Sequence, residues 1–420
     1  MADLFTDRRL KFAATINDET LSESTDSESE LAYIDIGNVD SQGRVHDIIN
    51  YRFEDAPSRA RRIVRDGDVI ISTVRTYLQA IAPIENPQNN LIVSTGFAVV
   101  RPTQELDHRF CKYALRANRF LWEVQSRSTG VSYPAINASD LADIRINLPE
   151  VGIQRHIANY LDRETARIDE LIAEKERMLA LLDEKRSALI SRVVTRGLDA
   201  NAPLKPSGLE WLGDIPNHWD ACQLKRTWAS SVYGLSESIK DEGDIAVLRM
   251  SCIVDGRIDI SKSGMIAEVD SNFLLRRDDL LFNRTNSLDQ IAKVGLVDFD
   301  PEEPLTFASY LVRIRANRWA TPQYLNSLLN STLFLNFARK NAIPAIGQAN
   351  LSPTRYGEIH IPLPPKAEQE EIVTFLEGEA KISTPVREHI KRSIGLLRER
   401  RSALITAAVT GEIPLEDMAR

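Results

Sequence analysis

The chain has 420 residues, 43% apolar and 27% charged, with a formal net charge of −8. That exceeds one ordinary domain, suits a protein with real cores, and argues mildly against an acidic polymer as partner unless the charge is unevenly distributed. Cys111, Cys222 and Cys252 are too few and scattered for a disulfide framework or a zinc site. No run approaches the roughly 18 apolar residues of a membrane span.

The start, Met1–Asp7, has no basic cluster or apolar run, so it does not read as a signal peptide, and a reducing cytoplasm is expected. The acidic, Ser-rich "DETLSESTDSESE" (Asp18–Glu30) reads as a solvated loop. Short alternating apolar runs at Asp68–Thr73 and Phe97–Arg101 read as strands, and Arg109–Gln125 has a helical pattern. A strand ending in proline, "IRINLP" (Ile144–Pro149), leads into one long helix. There Ile157, Leu161, Ile168, Leu171, Met178, Leu182 and Leu189 hold a 3.5-residue period. The connector "GLDANAPLKPSGLEWLGDIPNHW" (Gly197–Trp219) ends that helix with Gly, Pro and Asn. The second half repeats the plan: strands at Asp279–Asn283 and Leu311–Arg315, a helix over Pro322–Lys340, the strand "IHIPLP" (Ile359–Pro364), and a second long helix. Its seam is Ile372, Leu376, Val386, Ile390, Leu397 and Leu404.

The two halves are copies. "RSALISRVVTRG" begins at Arg186 and "RSALITAAVTGE" at Arg401, an offset of 215; Gln154 and Gln369, Leu161 and Leu376, and Leu182 and Leu397 share it. Upstream, "GDVIISTVR" resembles "DDLLFNRTN", and "RLKFAA" echoes "QLKRTWAS". The expected layout is a body over 1–150, a helix over 151–197, a linker over 198–215, a second body over 216–365, a second helix over 366–411 and a tail over 412–420. Shared helices with diverged bodies suggest two modules doing one job on different targets. Equivalent units pairing through one seam pack most simply about a pseudo-two-fold axis, so the helices are expected to be antiparallel.

No catalytic signature appears. There is no GxGxxG after a strand, no GxxxxGK[ST], no HExxH and no Asn/Asp-Pro-Pro-aromatic run. The six histidines do not pair at metal-ligand spacings. Asp183-Glu184-Lys185, nuclease-like in spacing, sits on the solvated face of a coiled-coil helix. The chain alone is expected to catalyse nothing and to hold no metal or cofactor.

Charge is segregated. Between Glu303 and Glu358 no acidic residue occurs, while Arg313, Arg315, Arg318, Arg339, Lys340 and Arg355 interleave with Phe307, Tyr310, Trp319, Tyr324 and Tyr356. Such a block suits a phosphate backbone. Arg52, Arg59, Arg61, Arg62, Arg65 and Arg75 crowd a region of the first half, and a second acid-free window spans Val124–Ser139. The loops "SRSTGVSYPAIN", "RKNAIPAIGQAN", "STVRTY" and "NRTNS" combine Gly with Ser, Asn, Gln and Arg, the side chains that reach base edges. The candidate DNA-binding residues are Arg75, Tyr77, Arg127, Ser128, Tyr133, Arg284, Asn286, Arg339, Lys340, Gln348 and Asn350.

"SGLEWLGDIPNHW", "IPLPPKAEQEEIVTFL" and "RSALITAAVTGEI", with the weaker first copies "INLPEVGIQRHIANYL" and "RSALISRVVTRGL", together resemble the specificity subunit of type I restriction–modification systems. The likeness spans the chain, although the first half lacks the lead-in motif seen at Gly208–Gly213. The resemblance implies an α+β fold with two tandem mixed α/β target-recognition domains, each followed by a long helix, the two helices pairing as an antiparallel coiled coil. It implies a bipartite double-stranded DNA target. It also implies docking of two modification subunits that use S-adenosylmethionine, with restriction subunits that use ATP and Mg. Two other classes compete: a coiled-coil adaptor binding protein partners, and a self-sufficient methyltransferase or nuclease, which the missing motifs disfavour.

Overall fold

A computed structural model describes residues 4–240, 242–345 and 347–419. Ile346, inside the candidate loop "RKNAIPAIGQAN", lies outside the described residues. Two compact units emerge, and the first is not a continuous stretch: residues up to 176 join residues from 390 onward, and residues 177–389 form the other. Among the described residues no helix is long and apolar enough to cross a membrane.

In the first unit, an antiparallel sheet orders its strands Ala14–Ile16, Phe97–Pro102, Val69–Ser72, Ile81–Pro83. A second, mixed sheet runs Ile49–Arg52, Glu30–Ile34, Leu91–Ser94, Ala60–Ile63. Val69, Ile71, Ala98 and Val100 point one way into a core shared with Phe110 and Phe120, while Ile70, Ala82 and Val99 point the other way. This is the period-two alternation of strands covered on both faces. The second unit has a six-stranded sheet centred on Leu311–Ala316 and Asp279–Asn283, plus a three-stranded one.

Matching keystones recur in both units. Thr6–Arg9 pairs antiparallel with Arg145–Leu148, as Asp220–Gln223 does with His360–Leu363. Buried Asp68 takes a two-pronged ion pair from Arg101, both bonds 2.9 Å, and accepts the Arg65 amide. Buried Asp279 does the same with Arg315, at 2.6 and 3.0 Å, and the Arg276 amide. Gln154 and Gln369, both fully buried, each accept one backbone N–H and donate to two carbonyls.

The long helices span Val151–Arg196 and Lys366–Thr410. Within the first unit they run antiparallel, with Arg401 bonded to Asp169 (2.9 Å) and Arg398 to Glu176 (2.9 Å). Within the second, Arg387 meets Asp183 at 2.6 Å. The seam differs in part from expectation. Ile168 and Ile390 are buried and Leu182, Leu189, Leu376, Leu397 and Leu404 half-buried. Leu171 is 52% exposed and Val386 46%; Ile172 and Ile394, one and four residues on from Leu171 and Ile390, are buried instead. Ile157, Leu161 and Ile372 face the cores of the bodies.

The repeated words pack on the other half's body. Val193 and Val194 join a core with Trp219, Leu224 and Tyr324, whose hydroxyl donates to the Val194 carbonyl at 3.0 Å. Ile405, Ala408 and Val409 join Phe110, Ala117 and Phe120, and the Asn118 amide donates to Thr406 Oγ1 at 3.0 Å. The expected linker 198–215 is folded: Leu204–Pro206 and Asp214–Pro216 form a hairpin, Leu212 and Ile215 are buried, and Trp211 stacks on Phe337. In the first unit the tail takes the matching place. Past Gly411, Ile413, Leu415 and Met418 pack on the core, and a Cβ at Gly411 would strike the Phe5 ring.

Candidate nucleic-acid interface

Each unit brings together the two loops that the sequence picks out. In the first, the strand Val69–Ser72 ends and the Thr73 amide donates to the Gly96 carbonyl at 2.8 Å. Val74 and Thr129 both bridge to Ala135, and the Ile136 amide donates to the Thr73 carbonyl at 2.8 Å. "STVRTY" is thereby joined to "SRSTGVSYPAIN". In the second unit, Thr285–Asn286 pairs with Gln348–Asn350, which pairs with Ile343–Ala345, so "NRTNS" meets "RKNAIPAIGQAN" in the same way. Val74 meets Ala135 as Thr285 meets Asn350, the partner 215 positions on. Counted from the buried aspartates Asp68 and Asp279, Arg75 and Asn286 hold corresponding positions.

The first unit's turn is strained. Arg75 has φ 52° and Gln79 φ 50°, both left-handed, and they bracket the single 3-10 turn Thr76–Leu78. A non-glycine residue in that region costs about 1 kcal/mol, so the surroundings must hold it. The holding groups are the Thr76 hydroxyl against Ser128 (2.9 Å) and the Thr76 amide donating to the Pro134 carbonyl (3.3 Å). Tyr77 and Leu78 are thrust outward, and the Arg75 guanidinium lies 4.9 Å from the centre of the Tyr133 ring, itself 64% exposed. Gly130, at φ 104°, makes the tip of the facing loop and leaves Val131 fully exposed.

Other candidates are already engaged by protein. Arg127 is paired with Glu123 at 2.8 Å, and the Ser128 hydroxyl donates to the Val124 carbonyl at 2.7 Å. Arg284 lies 5.2 Å over Tyr233 and donates to the Ser309 carbonyl; Asn286 accepts the Ser287 amide; Asn350 donates to Thr285 Oγ1. Arg339 donates to the Asp289 carbonyl, whereas Lys340 and Gln348 are exposed. Tyr233, exposed against Arg284, was not singled out from sequence, and Ile343, exposed within "RKNAIPAIGQAN", was not among that loop's named candidates.

The acid-free block is not one positive surface. Arg313 is buried and donates to the carbonyls of Asn272 and Leu274; burial and the neighbouring Arg315 lower its pKa. Arg315 belongs to Asp279, and Phe307, Tyr324 and Tyr356 are core residues. The interleaving there records strand alternation and packing. Arg318, stacked on exposed Trp319, Lys340 and Arg355 remain outward. In the first half, Glu28 pairs with Arg52, Asp35 with Arg59 and Glu19 with Arg65, Arg61 lies over Phe53, and Arg62 donates to Thr20. The acidic segment Asp18–Glu30 is therefore a counter-charge for that arginine cluster as well as a loop.

The description "Type I restriction modification DNA specificity domain" matches residues 43–179 and 232–391. The EcoKI specificity subunit of Escherichia coli is 23% identical over 322 residues, 75% of this chain and 68% of that protein. A shorter match, to the MjaX type I restriction enzyme specificity subunit of Methanocaldococcus jannaschii, is 30% identical over 171 residues, 39% of this chain and 40% of that relative, well under two thirds of its length. A solved chain from work on complex assembly and conformational transition of the type I R-M system superposes with a TM-score of 0.71. It covers 97% of this chain and 98% of that one at 19% identity, a likeness of fold. The duplicated bodies and paired helices, together with a family match over most of the length, place this chain in the type I restriction–modification DNA specificity family.

Proposed function

We propose that this chain is the DNA sequence-specificity subunit of a type I restriction–modification complex. Each body reads one half of a bipartite double-stranded target, and the paired helices set the spacing of the halves and dock two modification subunits. The observation carrying this is the duplicated pairing of two loops, Val74 with Ala135 and Thr285 with Asn350, on an otherwise shared frame. A shared scaffold presenting unlike loops is how one fold reads two unlike sequences. Their residues, Arg75, Tyr77 and Tyr133 in one unit and Asn286, Lys340 and Gln348 in the other, supply base-edge and phosphate chemistry. Arg127, Ser128, Arg284, Arg339 and Asn350 hold the loops in place.

In this reading the chain binds no cofactor. S-adenosylmethionine belongs to the modification subunits, ATP and Mg to the restriction subunits, and the assembly works in the cytoplasm on chromosomal DNA. Methylation mapping of the host genome with and without this gene is the test: a split, adenine-containing motif should disappear with the gene. An unchanged methylome together with a purified chain that never prefers one duplex sequence would favour the adaptor reading. The chain alone should transfer no methyl group from S-adenosylmethionine, and activity should appear when a modification subunit is added. Methylation by the lone chain, free of that partner, would contradict a non-catalytic role.

A further inference from the structure

We propose that Arg75 reads a guanine in the half-site recognised by the first body, with Tyr133 positioning its guanidinium; the assignment rests on the functional reading above. Three independent observations converge on this residue. The first is availability. Among the described residues, every other arginine between 1 and 150 makes a side-chain hydrogen bond or an ion pair to protein. Both lysines of that stretch, Lys11 and Lys112, are ion-paired too. Arg75 makes neither: its one described side-chain partner is the Tyr133 ring. In a body whose other cationic side chains each have a protein acceptor, Arg75 is the exposed one whose guanidinium has no described protein acceptor.

The second observation is strain. Arg75 sits in the left-handed region at φ 52°, which an arginine rarely adopts, and the cross-loop bonds of Thr76 hold it there. Asn or Gly would suit that backbone better, so a bulky cation at this spot calls for a reason other than the turn. The third is pre-orientation. A guanidinium packed against an aromatic face loses rotational freedom while its peripheral donors stay available. That is the state in which a planar fork best meets two acceptors, and guanine alone offers two, O6 and N7, on its major-groove edge. The corresponding position of the other body holds Asn286, which lacks such a fork, so the two half-sites should differ here.

The test uses the full chain assembled with its modification subunit and a duplex library randomised over both half-sites. The unaltered complex should enrich a bipartite motif with a guanine in the half belonging to the first body. Arg75→Ala, which removes every donor to the base, should lower the preference for that guanine by roughly 10- to 100-fold and leave the other half-site unchanged. Arg75→Gly, which also relieves the strained turn, should do the same and so guards against misfolding as the cause. Tyr133→Ala should relax the same position more weakly, and Tyr133→Phe should restore it. If Arg75→Ala enriches the original motif unchanged, the assignment is overturned. If Arg75→Gly instead weakens all sequences equally and lowers the salt slope by about one, Arg75 contacts a phosphate and the assignment is likewise overturned. A complex that enriches no bipartite motif at all would overturn the functional reading, and Arg75 with it.

Discussion

Gln369 is fully buried, and its amide holds three backbone groups at once: it accepts the Thr321 amide (2.8 Å) and donates to the carbonyls of Trp319 (3.0 Å) and Pro364 (2.9 Å). It thereby ties the strand that enters the second long helix to the start of a body helix. Gln154 ties the same points in the first unit. In the sequence both residues are legible only as marks of the repeat. Their partners are main-chain groups, which no residue pattern encodes. Gln369→Ala would leave those groups buried without partners, and the second unit should lose about 3 kcal/mol. Tryptophan fluorescence can isolate the effect, because Trp211, Trp219, Trp228 and Trp319 lie in that unit and the first contains only Trp122. The denaturant midpoint of the fluorescence transition should fall, while Gln154→Ala should barely move it. A midpoint unmoved by Gln369→Ala would reduce the glutamine to a passenger of the repeat. Arg75 shows the opposite kind of legibility. Its residue type drew notice, but its left-handed backbone and lack of a protein partner emerge only from tertiary pairing.

At the scale of elements, the strands and both long helices were readable because period-two and 3.5-residue patterns survive in the residues themselves. The docking of the helix ends was not. "RSALI" reads as more seam, yet Ile405 at the end of the second copy, and the residues after each copy, Val193 and Val194 or Ala408 and Val409, pack on a body rather than along the partner helix. The same apolar spacing serves both purposes, so pattern alone could not separate them. The segment past Gly411 also packs on the first unit, where Met418 is 2% exposed and His156 contacts the Leu415 carbonyl at 3.1 Å. Ending the chain at Gly411 should uncover part of the first unit's core, at about 2 kcal/mol for each large apolar side chain lost. Hydrogen exchange over His108–Ala114 and Asn118–Arg127 should speed up, while the tryptophan transition of the second unit stays put. Unchanged protection in those helices would mean that the tail merely lies on the surface.

For the whole molecule, the proposed division of labour puts distance in the helices and sequence in the loops. Three cross-helix ion pairs, Asp169 with Arg401, Glu176 with Arg398 and Asp183 with Arg387, descend one helix as they climb the other, as an antiparallel pair requires. Lengthening only one arm would break this register, so the insertion must be made in both. Seven residues after Ala180 and seven after Arg392 keep each seam in phase and fall within the stretches flanked by the Glu176–Arg398 and Asp183–Arg387 pairs. Each arm lengthens by about 10 Å at 1.5 Å per residue. Since B-DNA rises about 3.4 Å per base pair, the preferred spacer between half-sites should grow by about three base pairs. DNA twist turns the second half-site by roughly a third of a helical turn over that distance, so affinity should fall even as the preferred spacing lengthens. The bases recognised in each half should not change, because Arg75, Tyr133, Asn286 and Gln348 stay on their own frames. Selection from a library that varies both half-sites and spacer length reads the two quantities separately. Altered bases at an unchanged spacing would assign distance to the bodies and remove the helices from that role.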